Sequence, residues 1–331
     1  MNHTFRPWGM LPWILGKCPG LKWSLLASLS PEDRCLSTWL TLKKSTVLTA
    51  NNKLLRIKDK ESRFTPQTTR KVEERWKEFL AEGGERDSVV ELDLFVAHAD
   101  LVKTLDDFDS AAGENIVLDI TSLPKRYFFP FIRRLVENSK ARNIIATYAI
   151  PSSYTDQALA ERFQEWRPLP MFAPAGEATY TKFVVSIGFM SMGLPDQVRQ
   201  RCGQMDVELL FPFPPGPPGF HRNWEFVMDL QRELPNKLAI KHVDARDTSL
   251  AFDHLVIATD GGHKRAVLAP YGPKPHSLAM CLFAIRAGSE VCYTQPSIYH
   301  PDYSIGRSLC DGQPEVYAYV VRLHGHDIYT L

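Results

Sequence analysis

Short runs rich in Val, Ile and Leu return along this chain, with a helical segment after almost every one. WSLLASL (23–29), STVLTA (45–50), VVELDLF (89–95), IVLDI (116–120) and NIIATYAI (143–150) read as strands. Between them stand helix start and stop signals: Ser30-Pro31 before an acidic first turn, Thr65-Pro66 before a helix closed by Gly83-Gly84, and a Ser/Pro turn in TSLPKR. Apolar strands without polar alternation are buried on both faces, and strands joined by helices run parallel. The chain is thereby confined to an α/β layer of the doubly wound kind.

The order then starts again. FVVSIG (183–188), VELLFP (207–212), LAIKHV (238–243), AVLA (266–269) and EVCYT (290–294) alternate with four further helical segments, one of them capped at Asp247 or Thr248. YAIPSSY (148–154) closes the first pass and YTQPSIY (293–299) closes the second. The fourth strand of each pass leads into a Pro-Lys pair, Pro124-Lys125 and Pro273-Lys274. A matched heptapeptide, a matched turn and a matched element order predict an internal duplication: two Rossmann-like, mainly parallel halves. The expected divisions are an N-terminal extension at 1–22, a first half at 23–156, a Pro/Ala-rich linker at 157–181, a second half at 182–305, and a tail at 306–331. In that tail PEVYAYVVRLH alternates like one more strand, at an edge or bridging the halves.

Composition narrows the function classes. A net charge of +1 over 331 residues gives no global pull toward nucleic acid or acidic membranes. Six cysteines without a CxxC pair, several inside apolar runs, read as reduced thiols of a cytoplasmic protein, with neither a disulfide frame nor a zinc site. The opening apolar patch is broken by Gly9, Pro12 and Gly16, and no stretch reaches 18 uninterrupted apolar residues, so a soluble chain is expected. GxGxxG, Walker A, HExxH and GxSxG are absent, and no catalytic residue, cofactor or metal is assigned.

Ligands of open α/β sheets bind beyond the carboxyl ends of the strands. The loop DITSLPKR there offers the Thr121 and Ser122 hydroxyls, the Lys125 and Arg126 charges, and the N–H groups of a helix start. YGPKPHS repeats the idea with Gly272, Lys274, His276 and Ser277. Taken singly, each loop also reads as a capped helix start with solvent-facing cations. Taken as a pair, they point to a ligand with two or more phosphates. Asp119 either accepts from a ribose hydroxyl or base amine, or orients its own turn. Ser28, Ser30 and Arg34 are further candidate donors. FPFPPGPPGFHRNW is a rigid aromatic loop in which Phe213, Phe220 and Trp224 offer a stacking wall and His221 and Arg222 offer phosphate contacts, or else a packed connection. Tyr154 and Tyr299 stack bases at related positions, or are core-edge tyrosines.

A strand followed by D-x-T-S and a Lys at the next helix start (Asp119, Thr121, Ser122, Lys125) resembles the CARF domains, the CRISPR-associated Rossmann folds. Two such units in one chain resemble the SAVED domain. The resemblance implies a cyclic oligonucleotide bound across a two-fold between two lobes, at Asp119, Thr121, Ser122, Lys125, Gly272 and Lys274. It further implies a signal relayed to a separate effector protein, in prokaryotic antiviral defence. The chain departs from the family pattern: a Gly-Gly-Thr-Lys turn is absent, and Pro124 and Pro273 remove N–H groups a phosphate would use. The expectation is therefore a nucleotide sensor, with direct nucleic-acid binding not foreseen. The alternatives are an enzyme acting on a nucleotide, sugar phosphate or phosphodiester, and a ligand-free interaction subunit.

Overall fold

The computed structural model describes residues 6–174, 176, 179–214, 219–234 and 238–331. The 215–218 stretch and the Phe220 side chain of the expected aromatic wall lie outside the described residues. In chain order the elements begin with β1 (Trp8–Met10), α1 (Leu11–Gly16), β2 (Ser24–Ser28), a 3-10 turn (Asp33–Leu36), α2 (Ser37–Lys44), β3 (Lys53–Lys58) and α3 (Thr65–Ala81). There follow a second 3-10 turn (Arg86–Ser88), β4 (Val89–Asp93), α4 (His98–Ala112), β5 (Asn115–Asp119), α5 (Lys125–Asn138), β6 (Asn143–Ala149), β7 (Ser153–Tyr154) and β8 (Ala160–Pro168). The next run is β9 (Lys182–Ser186), α6 (Leu194–Cys202), β10 (Asp206–Phe213), α7 (Gly219–Glu233), β11 (Ala239–Asp244), α8 (Thr248–Ala258), β12 (Ala266–Pro270), α9 (Lys274–Ala287) and β13 (Glu290–Tyr299). The chain ends with β14 (Ser304–Ile305), β15 (Leu309–Cys310), β16 (Gln313–Pro314), β17 (Val316–Leu323) and β18 (His326–Asp327).

Two compact units result, one of Met1–Arg162 with Ser297–Ile328 and one of Phe163–Pro296 with Tyr329–Leu331. In the first, the sheet order is β1-β17-β6-β5-β2-β3-β4. β2 to β6 pair in parallel, and β17 lies antiparallel between β6 and β1. The parallel strands thus change direction of winding between β2 and β5, which is the switch point of a Rossmann-like sheet. One face of this sheet buries Leu25, Leu54, Val117 and Ile145 with Trp39, Leu42 and Phe79 from α2 and α3. In the second unit the order is β11-β10-β9-β12-β13-β8, with β9, β10, β11, β12 and β13 parallel and the switch between β9 and β12. Its strands repeat the 3-2-1-4-5 arrangement of the first. Among the described residues no helix is long and apolar enough to cross a membrane.

The structure departs locally from the sequence reading. The run at 45–50 makes only a bridge, Trp23 to Leu48, and the regular strand is Lys53–Lys58. The Asn52 side chain interrupts the ladder by accepting the Leu25 N–H at 2.9 Å, and KLLRIK pairs only after it. Strand β8 lies in the Pro/Ala-rich segment; AERFQEWRP exposes charges at the sheet edge and so shows no apolar period. The two heptapeptides take unlike backbone courses: YAIPSSY leaves β6 at Ala149, whereas YTQPSIY stays within β13 to its end. The tail strand β17 carries a nearly continuous buried run and is covered on its far side by β1.

Candidate functional site at the carboxyl ends of the strands

At the switch point of the first unit, the chain leaves β2 toward the 3-10 turn and α2, and leaves β5 toward α5. Ser28 ends β2 and is buried; the half-buried Ser122 hydroxyl donates to its carbonyl at 3.4 Å, so the two loops meet. Asp119 is buried at the end of β5. Its Oδ1 accepts the Thr121 N–H at 2.9 Å and the Thr121 hydroxyl, and Thr121 Oγ1 in turn accepts the Ala149 N–H at 2.9 Å. Asp119 and Thr121 therefore fix the turn and tie β5 to β6. Burial pushes the Asp119 carboxyl up to about 6, with the Thr121 hydrogen bonds and Arg34 pulling the other way.

Lys125 opens α5 behind Pro124 and is only 9% exposed. Burial lowers its ammonium to about 7. The first turn of α5 carries no acid, so this cation stands at the positive end of the helix dipole. Arg126, next in the chain, is half-buried and donates to the Val96 carbonyl at 3.2 Å.

Arg34 and its neighbours form an interior lattice. The buried guanidinium donates to Ala149 O at 2.7 Å, to Ser304 Oγ at 3.2 Å and to Glu32 at 2.8 Å, and lies over the Tyr148 ring at 5.2 Å. Ser30 Oγ accepts the Glu32 N–H at 3.2 Å, a local cap of the 3-10 turn. Tyr154 is half-buried with its hydroxyl 3.2 Å from that of Tyr148, and burial raises its phenol. Tyr154 and Tyr299 lie in the same unit, each with its ring 6.3 Å from that of Tyr303. The Tyr299 N–H donates to Asp59 at 3.1 Å, and burial pushes the Asp59 carboxyl up to about 6.

In the second unit the loops after β9 and β12 close on each other. A Cβ on Gly272 would stand 1.9 Å from Ser186 Oγ, and one on Gly188 would stand 2.1 Å from Tyr271 O. His276 is fully buried: its Nε2–H donates to Asp244 O at 2.9 Å, so Nδ1 accepts from the Ser186 hydroxyl at 3.3 Å. Burial lowers it to about 4, outweighing the Asp244 carbonyl and carboxylate. Ser277 donates to Pro273 O at 3.2 Å, and Lys274 is half-buried at the first position of α9. A neutral folded His276 binds its proton less readily than the unfolded chain. Stability is therefore fully present above about 6.5 and is lost as pH falls toward 4. His276→Gln is expected to remove about 2–3 kcal/mol of that acid sensitivity, read as a flatter dependence of melting on pH between 4 and 6.5.

His221 is exposed near the start of α7 and pairs with Glu225 at 3.1 Å; Arg222 beside it is half-buried. Phe213 and Trp224 are exposed. A 420 Å³ cavity runs along this outer face of α7, and a 200 Å³ cavity lined by Trp39, Lys43 and Asn52 lies at the amino edge of the first unit's strands. Neither is lined by Lys125 or Lys274. Among the described residues no three His, Cys, Asp or Glu side chains gather as a metal site would require.

The structure thus brings Ser28 and Ser122 together at the carboxyl ends of β2 and β5, with Asp119 and Thr121 in the same turn and Lys125 opening the helix that follows. Three residues of the same edge escaped the sequence reading: Asp59, Lys60 and Phe95. A strand at 45–50 puts the carboxyl loop of β3 at 50–52, and VVELDLF carries Phe95 within a strand that in the structure ends at Asp93. Leu54, Leu55 and Ile57 standing between cations in KLLRIK are the sequence signal for the strand that precedes Asp59 and Lys60.

No protein-family model matches the chain, and no curated protein matches it. Among solved structures it resembles a type III CRISPR defence DNA nuclease activated by cyclic oligoadenylate, with TM-score 0.54 at 9% identity, over 83% of this chain. The chain spans 65% of that nuclease's length. At this identity the likeness is one of fold, and a distant one. A functionally unknown protein from Pseudomonas aeruginosa PAO1 (13% identity, 83% and 92% of the two chains) aligns at TM-score 0.25. A putative universal stress protein from Pseudomonas aeruginosa UCBPP-PA14 (12%, 83% and 93%) also aligns at 0.25, and neither carries an argument.

Proposed function

We propose that the first unit binds a nucleotide-type anion in the crevice over the β2–β5 switch point, and that the protein is a sensor acting through a separate effector. The observation that carries this is Lys125. It opens α5 at the positive end of the helix dipole, in a first turn without an acid, where an anion meets a cation and helix N–H groups together. The Ser28 and Ser122 loops and the α5 N–H groups add donors. Fold-level likeness to a nuclease activated by cyclic oligoadenylate favours a cyclic oligonucleotide, and with it a role in antiviral defence. The shared 3-2-1-4-5 strand order, and helices α5 and α9 that both start Pro-then-Lys, support descent of the two units from one duplicated ancestor.

A thermal-shift panel of cyclic di-, tri- and tetra-adenylate tests the reading. A ligand at 100 times its Kd is expected to stabilise by about 2.7 kcal/mol, an upward shift of several degrees. No shift with any member, at millimolar ligand and low salt, sinks it. A second reading, cleavage of the ligand at the same place, is favoured by the near-neutral titration of Lys125. Product formation on incubation with a shifting ligand separates the two.

A further inference from the structure

The carboxyl edge of the first unit's sheet carries a second group of charges. Lys60 follows β3 by two residues, Phe95 follows β4 by two, and Arg126 is the second residue of α5. The Lys60 ammonium and the Arg126 guanidinium each lie 5.6 Å from the centre of the same Phe95 ring. Two like charges are therefore no farther apart than twice that distance, with Lys125 adjacent in the chain to one of them.

Their positions are held by the backbone. The Tyr127 hydroxyl donates to Asp93 O at 2.6 Å and Arg126 to Val96 O at 3.2 Å, which fixes the first turn of α5 on the loop after β4. The Lys60 N–H donates to Ser297 O at 3.4 Å, and the next residue back, Asp59, receives the Tyr299 N–H. The carboxylates nearest in the chain are Glu61, exposed beside Lys60, Asp93, at the exposed end of β4, and Asp59, whose burial pushes its carboxyl up to about 6. Cations gathered on one aromatic ring repel each other, and an anion between them converts that repulsion into attraction.

We infer that Lys60, Phe95 and Arg126 form a second anion subsite beside the Lys125 crevice, taking a further phosphate of the same ligand, so that the unit selects an oligonucleotide-type polyanion over a mononucleotide. This rests on the reading of the Lys125 crevice given above. Lys125 and the switch-point loops hold one phosphate, while the Phe95-centred pair holds the next and sets the length preference.

The test uses the full chain, with cyclic triadenylate and adenosine monophosphate as probes, by calorimetric titration at several salt concentrations. The unaltered protein is expected to bind the trinucleotide at least tenfold tighter than the monophosphate. Lys60→Gln with Arg126→Gln is expected to abolish that preference and to flatten the salt dependence of trinucleotide binding by about 0.7 per lost phosphate contact. Phe95→Leu, which keeps apolar bulk but releases the cations, is expected to give an intermediate loss. A double variant that melts normally and retains both the preference and the salt slope overturns the subsite alone. An unaltered protein that binds neither probe, nor cyclic di- or tetra-adenylate, overturns the parent reading, and the subsite with it.

Discussion

Lys125→Met is expected to stabilise the unliganded protein by about 2–4 kcal/mol at neutral pH and to abolish binding of an anionic ligand. The side chain is 9% exposed, and burial lowers its ammonium from 10.5 to about 7. Below about pH 7 folded and unfolded chains both hold the proton, so the penalty is complete and constant. Between 7 and 10.5 the unfolded chain holds it more firmly, so stability of the parent protein rises with pH across that window. Methionine has similar length and no charge, removes the penalty, and should flatten the melting temperature over that range. The opposing changes in stability and binding are the mark of a residue kept for a ligand. An anion bound beside the ammonium restores its proton, so binding should take up protons above pH 7 and weaken as pH rises. Titration calorimetry in buffers of different ionisation heat reads that uptake directly. A methionine variant that is less stable than the parent and binds a cyclic oligonucleotide equally well refutes the assignment.

The same residue shows how far the sequence reached. The run of strands, the TSLPKR turn and the start of α5 at Lys125 follow from apolar patterning and from proline's fixed geometry, both local properties. The α/β, Rossmann-like architecture was legible for that reason. What distinguishes Lys125 from an ordinary solvent-facing cation is its burial, and burial depends on strands brought together from far along the chain. Ser30 and Arg34 make the point from the other side. As residue types they suggest ligand donors, yet Ser30 caps its own turn, and Arg34 is engaged by Ala149 and Ser304, more than 100 residues away. His276 likewise has the chemistry of a phosphate contact and spends both ring nitrogens on Ser186 and Asp244. Asn52 hid the true position of β3, because a side-chain hydrogen bond replaced a rung of the ladder, and with it hid Lys60. The heptapeptides that suggested duplication share residues without sharing a backbone course, whereas the strand order common to both units lies in long-range pairing.

Arg34→Met is expected to cost the first unit about 3–5 kcal/mol. The guanidinium is buried and serves Glu32, the Ala149 carbonyl at the end of β6, and Ser304 of β14. Methionine fills much of the space but leaves the Glu32 carboxylate, itself largely buried, with Ser304 as its remaining partner and the Ala149 carbonyl without this donor. The uncompensated charge is the larger cost, so Glu32→Gln placed on top of Arg34→Met should recover part of the loss, with a coupling of about 1–3 kcal/mol. Urea unfolding of the four proteins of this cycle measures it, and a single Arg34→Met variant as stable as its parent would refute the lattice. Arg34→Lys should rescue little, because an ammonium cannot reach three acceptors in the fork geometry that Arg34 uses. The ligand titration then separates support from contact. If Arg34 only holds the β2 loop in place, a folded Arg34→Lys variant loses affinity together with stability, and the salt dependence of binding stays that of the parent. A variant whose salt slope falls while its stability holds would instead put the guanidinium on a phosphate.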